Sequence, residues 1–313
     1  MLNRRFLRIK AFQTLYALSR EEQPNVALYR KKLFEGLDKT YELFVFVLSF
    51  PEAFLDFLES ELEGQKAKYI PAPEQIELLE RILANKVLVQ LANDLMLKDA
   101  QKKLKVNWSQ SADLLRGFWN EIKDKNWVAN YASNKENTYA HDKDFTTTLF
   151  EIVFADEDVF FTYLEERYLN WDDDQVLILT TLQRLLKDLK PTQMGFLPQK
   201  HKDEEEDLKF LKDLFDRYIQ DEAEITDLIT ARTKNWDEDR IALVDMILMK
   251  MALCELLYFP YIPVKVSINE YLELAKLYST PQSHSFINGI LDKTQSELKK
   301  LNKIEKLGRG LVD

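Results

Sequence analysis

The chain has 313 residues, 46% hydrophobic and 31% charged, with a net charge of −10, long enough for one large domain or two modest ones with a sizeable core. Seven Gly and nine Pro are few for this length and disfavour a turn-rich β protein, while the acidic average surface repels nucleic acid. Any anionic partner must therefore meet a local basic patch.

Apolar residues recur mostly at intervals of three and four, and Leu, Glu and Lys dominate, so the fold class is all-α. Two basic patches stand out against the acidic body. Residues 1–20 hold Arg4, Arg5, Arg8, Lys10 and Arg20 with no acid before Glu21, and the last stretch holds Lys293, Lys299, Lys300, Lys303, Lys306 and Arg309. The single cysteine, Cys254, cannot form an internal disulfide and fits a reducing compartment as a buried, inert thiol. The amino terminus lacks the continuous apolar stretch of a signal peptide, and runs such as Leu43 to Phe50 are far too short to span a bilayer. The expectation is a cytoplasmic protein with no membrane partner.

In chain order, the first helix is expected from Asn3, as N-cap, to about Ser19. Arg4, Arg5 and Arg8 fall within about 100° of one another on it. Cations at a helix N-terminus oppose the macrodipole by about 0.3–1 kcal/mol each. The cluster is therefore either a phosphate clamp, with Gln13 or Tyr16 near enough to meet a base, or a basic start that snorkels over the core. Pro24 suits the start of a second helix running to Ser49, and Pro51 opens a third. Glu59 to Ala72 reads as a loop, Glu74 to Lys98 as one long helix, and Ser111 to Lys125 as another. The polar stretch Asn130 to Asp142 is the best domain boundary, dividing the chain into residues 1–140 and 141–313. Helices follow at Asp144–Phe154, Glu157–Leu169 and Asp172–Leu189, then a loop over Lys190–Lys202.

Five consecutive acids, Asp203 to Asp207, suit either a site for a cation or basic partner or, as the plainer reading, a solvated helix start favoured by the macrodipole. Asn170-Trp171-Asp172 and Asn235-Trp236-Asp237 each open an apolar helix, which reads as reused capping chemistry. The helix from Asp239 to Phe259 is apolar nearly all round and is expected to be the central core helix. Its Lys250 and Glu255 are expected in structural ion pairs. Tyr261 to Leu291 then forms a helix pair with a polar turn at Ser279–Ser283. Because a mid-helix Gly costs roughly 1 kcal/mol against Ala, Gly289 is expected to let another helix pass close.

No enzyme is visible. His141, His201 and His284 lie far apart, no Cys or His cluster has metal-ligand spacing, and there is no phosphate-binding or nucleophile-elbow motif. No cofactor is expected.

The residues Leu248–Leu257, Ile262-Pro263-Val264-Lys265-Val266, Ile268-Asn269-Glu270, Glu273-Leu274-Ala275-Lys276 and Phe286-Ile287-Asn288-Gly289-Ile290-Leu291-Asp292, with the Trp236/Arg240 helix start, resemble the C-terminal signature of the NusB transcription antitermination family, here in residues 236–292. Arg4-Arg5, Arg8, Gln13, Leu15 and Tyr16 resemble the same family's first helix. The resemblance implies an all-α NusB-like helical bundle of two subdomains, with additional inserted helices at about residues 60–230. It also implies a non-enzymatic factor that binds boxA-type RNA of ribosomal RNA leaders with NusE, a small-subunit ribosomal protein, in an antitermination complex on RNA polymerase. By similarity RNA would meet Arg4, Arg5, Arg8, Gln13 and Tyr16 on one side and Gln282, Ser283, Ser285 and Phe286 on the other. Asp245 would face the protein partner. Family members often carry an acid at the position of Gln282 and a basic residue at that of Ser285, so one phosphate contact is missing here. The alternatives are a helical interaction scaffold that kept this fold with an altered partner, and the accessory module of an rRNA methyltransferase, for which no catalytic Cys motif follows.

Overall fold

The computed structural model describes residues 1–134, 137–155, 160–233 and 241–311. Among them are sixteen α-helices and no strand beyond one isolated bridge from Leu2 to His201. Helix α1 (Arg4–Ser19) begins where the sequence predicts, because Asn3 accepts a hydrogen bond from the Phe6 amide and caps the first turn. Helices α2 (Val26–Leu48) and α3 (Phe50–Lys66) meet at Ser49, with Pro51 in the first turn of α3, where its missing N–H is no loss. The loop expected over Glu59–Ala72 is mostly helix. Glu, Gln and Lys carry α3 on to Lys66, across Gly64 at a cost of about 1 kcal/mol.

The single long helix expected from Glu74 to Lys98 is instead three, α4 (Pro73–Leu83), α5 (Lys86–Ala92) and α6 (Leu95–Leu104). Side-chain capping breaks it. Asn85, at ψ 114°, accepts from the Val87 and Leu88 amides, and Asp94, at ψ 120°, accepts from Leu97. Each residue leaves the helical region and starts a new helix.

Helices α7 (Ala112–Ile122), α8 (Asn126–Ser133), α9 (Tyr139–Ala155), α10 (Phe160–Arg167) and α11 (Trp171–Asp188) follow. The fully buried Trp171 anchors the start of α11. Residues 157–159, the expected start of α10, lie outside the described residues, as do 234–240, with the second Asn-Trp-acid run and Arg240. The remaining elements are α12 (Glu204–Gln220), α13 (Glu222–Thr230), α14 (Leu243–Tyr258), α15 (Val264–Tyr278), α16 (Pro281–Lys300) and a 3-10 turn at Gly308–Leu311. The polar turn expected at Ser279–Ser283 is short. Pro281 occupies the first turn of α16, so Gln282 and Ser283 are already helical.

The chain forms two compact units, Met1–Leu37 with Lys200–Asp313, and Asp38–Gln199. The polar stretch at 130–142 lies inside the second unit. In the first unit every residue of α14 from Ile247 to Leu256 is buried, and α1, α12, α13, α15 and α16 pack around it. This is the expected core helix, and each buried Leu or Ile contributes about 1.5–3 kcal/mol. The second unit is built on aromatics. The Phe50 ring meets those of Phe54, Trp108, Phe118, Phe150, Phe154 and Phe160 at centroid distances of 5.3 to 6.1 Å.

Candidate nucleic-acid interface

The three arginines of α1 have separate fates, set by which acid each meets. Arg8 is buried against Glu255 of α14, donating from Nε at 2.8 Å and from Nη2 at 2.6 Å. Ser267 Oγ at 2.7 Å and Tyr271 OH at 3.1 Å, both on α15, also donate to that carboxylate. Burial alone would lower the Arg8 pKa, but the Glu255 charge and hydrogen bonds outweigh it and raise it. A carboxylate on the buried face of α14 needs such a partner. With a side chain only 3% exposed, Arg8 anchors α1 and is withdrawn from the phosphate clamp considered above. The ion pairs expected for Lys250 and Glu255 both exist, with partners outside α14: Lys250 meets Glu222 at 2.9 Å and Glu255 meets Arg8.

Arg4 donates to Asp207 at 3.0 Å and lies 4.6 Å over the Phe210 ring. The acidic run therefore does more than favour a helix start: Asp203 caps α12, while Asp207 and Glu206 receive Arg4. Arg5 forms a two-pronged pair with Glu270 at 2.9 and 2.8 Å, but its side chain is 49% exposed. Those hydrogen bonds hold the Glu270 carboxyl below its ordinary range. The pair is thus closed at neutral pH, and its stabilisation is lost only as pH falls through that depressed value.

The other half of α1 reaches the end of α15. Gln13 donates to Tyr278 OH at 3.3 Å, and the Phe12 and Tyr278 rings lie 4.9 Å apart. Tyr16 is exposed one turn further on. Two pieces some 265 positions apart are therefore neighbours within the first unit, and Tyr278 is followed directly by Ser279 and α16. Ser279 donates to Asp245, its oxygen lies 2.9 Å from Ser283 Oγ, and Thr280 and Ser283 share a hydrogen bond of 2.9 Å. Asp245 and Ser283 are each only 5% exposed. Asp245 is thus buried at the α15–α16 connection, where its carboxylate accepts from the Ser279 hydroxyl. Gln282 and Ser285 are exposed and Phe286 is half-buried.

Tyr278 carries no mark among the other tyrosines, and Glu270 stands out in the sequence only within the Ile268-Asn269-Glu270 motif, not as the acid that meets Arg5. Glu255 left a trace, as an acid on a helix apolar all round. Among the described residues no group of His, Cys, Asp and Glu could hold a metal ion, and no helix is long and apolar enough to cross a membrane.

Fold and site define an all-helical protein whose basic first helix packs onto its C-terminal helices, leaving a polar surface around the start of α16. Residues 175–296 match the model of the NusB family. Transcription antitermination proteins NusB from Chloroherpeton thalassium, Salinibacter ruber and Finegoldia magna are similar. They are 44%, 40% and 44% identical over 104, 103 and 85 residues. These matches take in 33%, 33% and 27% of this chain and 49%, 64% and 62% of the relatives. Through this region the chain is similar to NusB-family proteins, and each match spans less than two thirds of the relative's length. No solved structure matches it. The family region reaches back into α11, so α12 and α13 belong to it and not to the added helices expected up to residue 230.

Proposed function

We propose that the protein is a non-enzymatic RNA-binding antitermination factor, acting on boxA-type leader RNA with a NusE-type ribosomal protein in a complex on RNA polymerase. The observation that carries this reading is the meeting, within one compact unit, of α1 and the C-terminal end of α15, where Tyr278 leads directly into α16. Gln13 of α1 bonds Tyr278, four residues before the exposed Gln282, and Tyr16 is exposed one turn further along α1. Polar side chains that can reach bases, with a half-exposed Arg5 two turns back along α1, make a surface suited to single-stranded RNA, where contacts to unstacked bases give specificity and cations give affinity. Arg8 has no part in it. Arg4 contributes only if its bonds to Asp207 and Glu206 open.

The experiment is a titration of a boxA-type RNA, followed by fluorescence anisotropy at several salt concentrations, on the parent protein, Arg5→Ala and Glu270→Gln. Single-stranded RNA predicts log K falling with log salt at about −0.7 per neutralised phosphate. Glu270→Gln frees Arg5 from its carboxylate, so it should tighten binding several-fold and steepen the slope by about 0.7, while Arg5→Ala should weaken binding and flatten the slope. Parent protein that does not bind the RNA, or binds with no salt dependence, sinks this reading.

A second reading, a helical scaffold that binds protein only, is favoured by the commitment of Arg4, Arg5 and Arg8 to acids of the same chain. A complex with the ribosomal protein formed by a chain that never binds RNA would select it.

A further inference from the structure

Gly289 does not have the packing role its sequence position suggests. It lies on the exposed side of α16, and a Cβ built on it meets nothing within 4 Å. A mid-helix Gly on an open face costs roughly 1 kcal/mol against Ala with no contact in the chain to offset it. Its neighbours on the helix surface give the face a character. At about 100° per residue, Gln282, Ser285, Gly289, Lys293, Ser296 and Lys300 fall within about 80° of one another, and all six are exposed. Lys293 and Lys300 are two helical turns apart, and neither has an acidic partner among the described residues. Of the acids at the edges of this stripe, Glu297 is already paired with Arg232.

We infer that this face of α16 is a track for one RNA strand, which continues from the Gln282–Ser285 end and crosses Gly289 at close range, with Lys293 and Lys300 on its phosphates. The inference rests on the RNA-binding reading above and extends it by some four turns of helix. Chemistry decides for nucleic acid over a partner helix. A protein interface needs apolar or aromatic anchors at its centre, and none of the exposed large hydrophobic residues lies between Pro281 and Lys300. Lys, Ser and Gln are the side chains that contact phosphate and sugar. A glycine admits the closest approach of a backbone. The contrast with α1 points the same way, since the three arginines there are held by acids and the lysines here are not.

The test uses the full chain and two single-stranded RNAs, a short one holding only the boxA-type core and one extended at both ends. Gly289→Leu has room in the fold and removes a helix-weakening residue, so its Tm should match or exceed the parent's, which rules out misfolding as the cause of any loss. Its affinity for the extended RNA should fall at least tenfold. Lys293→Ala and Lys300→Ala should each flatten the salt slope for the extended RNA by about 0.7 and change binding of the short RNA little. If these variants bind the extended RNA as the parent does, while Arg5→Ala does not, the track is wrong and the RNA reading stands. If the parent binds neither RNA, both fall. If Gly289→Leu spares RNA binding but abolishes binding of the purified ribosomal protein, the face serves a protein and the inference is overturned.

Discussion

Glu255→Ala is expected to lower the stability of the first unit by about 3–5 kcal/mol, the cost of removing one partner from a buried ion pair. The side chain is fully buried and accepts from Arg8, Ser267 and Tyr271. Its loss leaves the buried guanidinium with only the more distant Glu270 carboxylate, at 3.6 Å, and strands two hydroxyls, and an unmet buried donor costs more than the bond itself contributed. Tyr271, whose phenol is raised mainly by burial and next by the Glu255 charge, stays a neutral donor. Urea denaturation measures the effect, and hydrogen exchange should quicken first in α1, α14 and α15. A loss under about 1 kcal/mol would show that the site relaxes or takes in water. The double change Arg8→Met with Glu255→Leu should restore much of the loss, because well-packed apolar groups often replace a buried pair at little cost. That variant also isolates function. It keeps α1 docked without the Arg8 charge, so RNA affinity and salt slope should match the parent's. A slope flatter by about 0.7 would return Arg8 to the phosphate contacts.

The same residues mark what the sequence could reveal. Helical spacing, the Asn3 cap and the apolar run of α14 are local, and all of them appear as read. Glu255 could be seen as an acid on a buried helix, but its partner is 247 positions away, and no local pattern encodes that pairing. The charges of Arg4, Arg5 and Arg8 were legible, whereas their burial and acidic partners depend on the packing of α1 against α12, α14 and α15. Gly289 failed for a related reason. A glycine signals close approach without saying whether the approaching group belongs to the same chain. The break of one long helix at Asn85 and Asp94 was in principle legible, since both are capping residues, but helical periodicity on either side hid it. The division into units joins the two ends of the chain, and composition along the sequence cannot show such a union.

The largest expected effect in the second unit is at Asp142, where Ala should cost about 3–5 kcal/mol. Asp142 is fully buried. One carboxylate oxygen accepts from Arg81 Nη2 at 3.0 Å and from Tyr131 OH at 2.7 Å, and the other from the Lys86 amide at 2.9 Å. Its own carbonyl accepts from Asn85 at 3.1 Å and Thr146 at 2.8 Å. One residue of α9 thereby joins α4, α8 and the start of α5, where a negative charge also suits the helix dipole. Arg81 lies 4.1 Å over the Tyr131 ring, and without the carboxylate its charge is left against aromatic and apolar surface. Asp142→Asn keeps the shape and one acceptor, so it should cost less than Ala, and exchange should quicken in α4, α5, α8 and α9. Equal losses for Asn and Ala would mean that charge, not packing, carries the whole effect. Every member of this network precedes residue 175, where the family match begins. At a temperature where Asp142→Ala remains folded, its affinity for a boxA-type RNA should therefore equal the parent's. A several-fold loss there would mean that the added helices take part in binding the RNA.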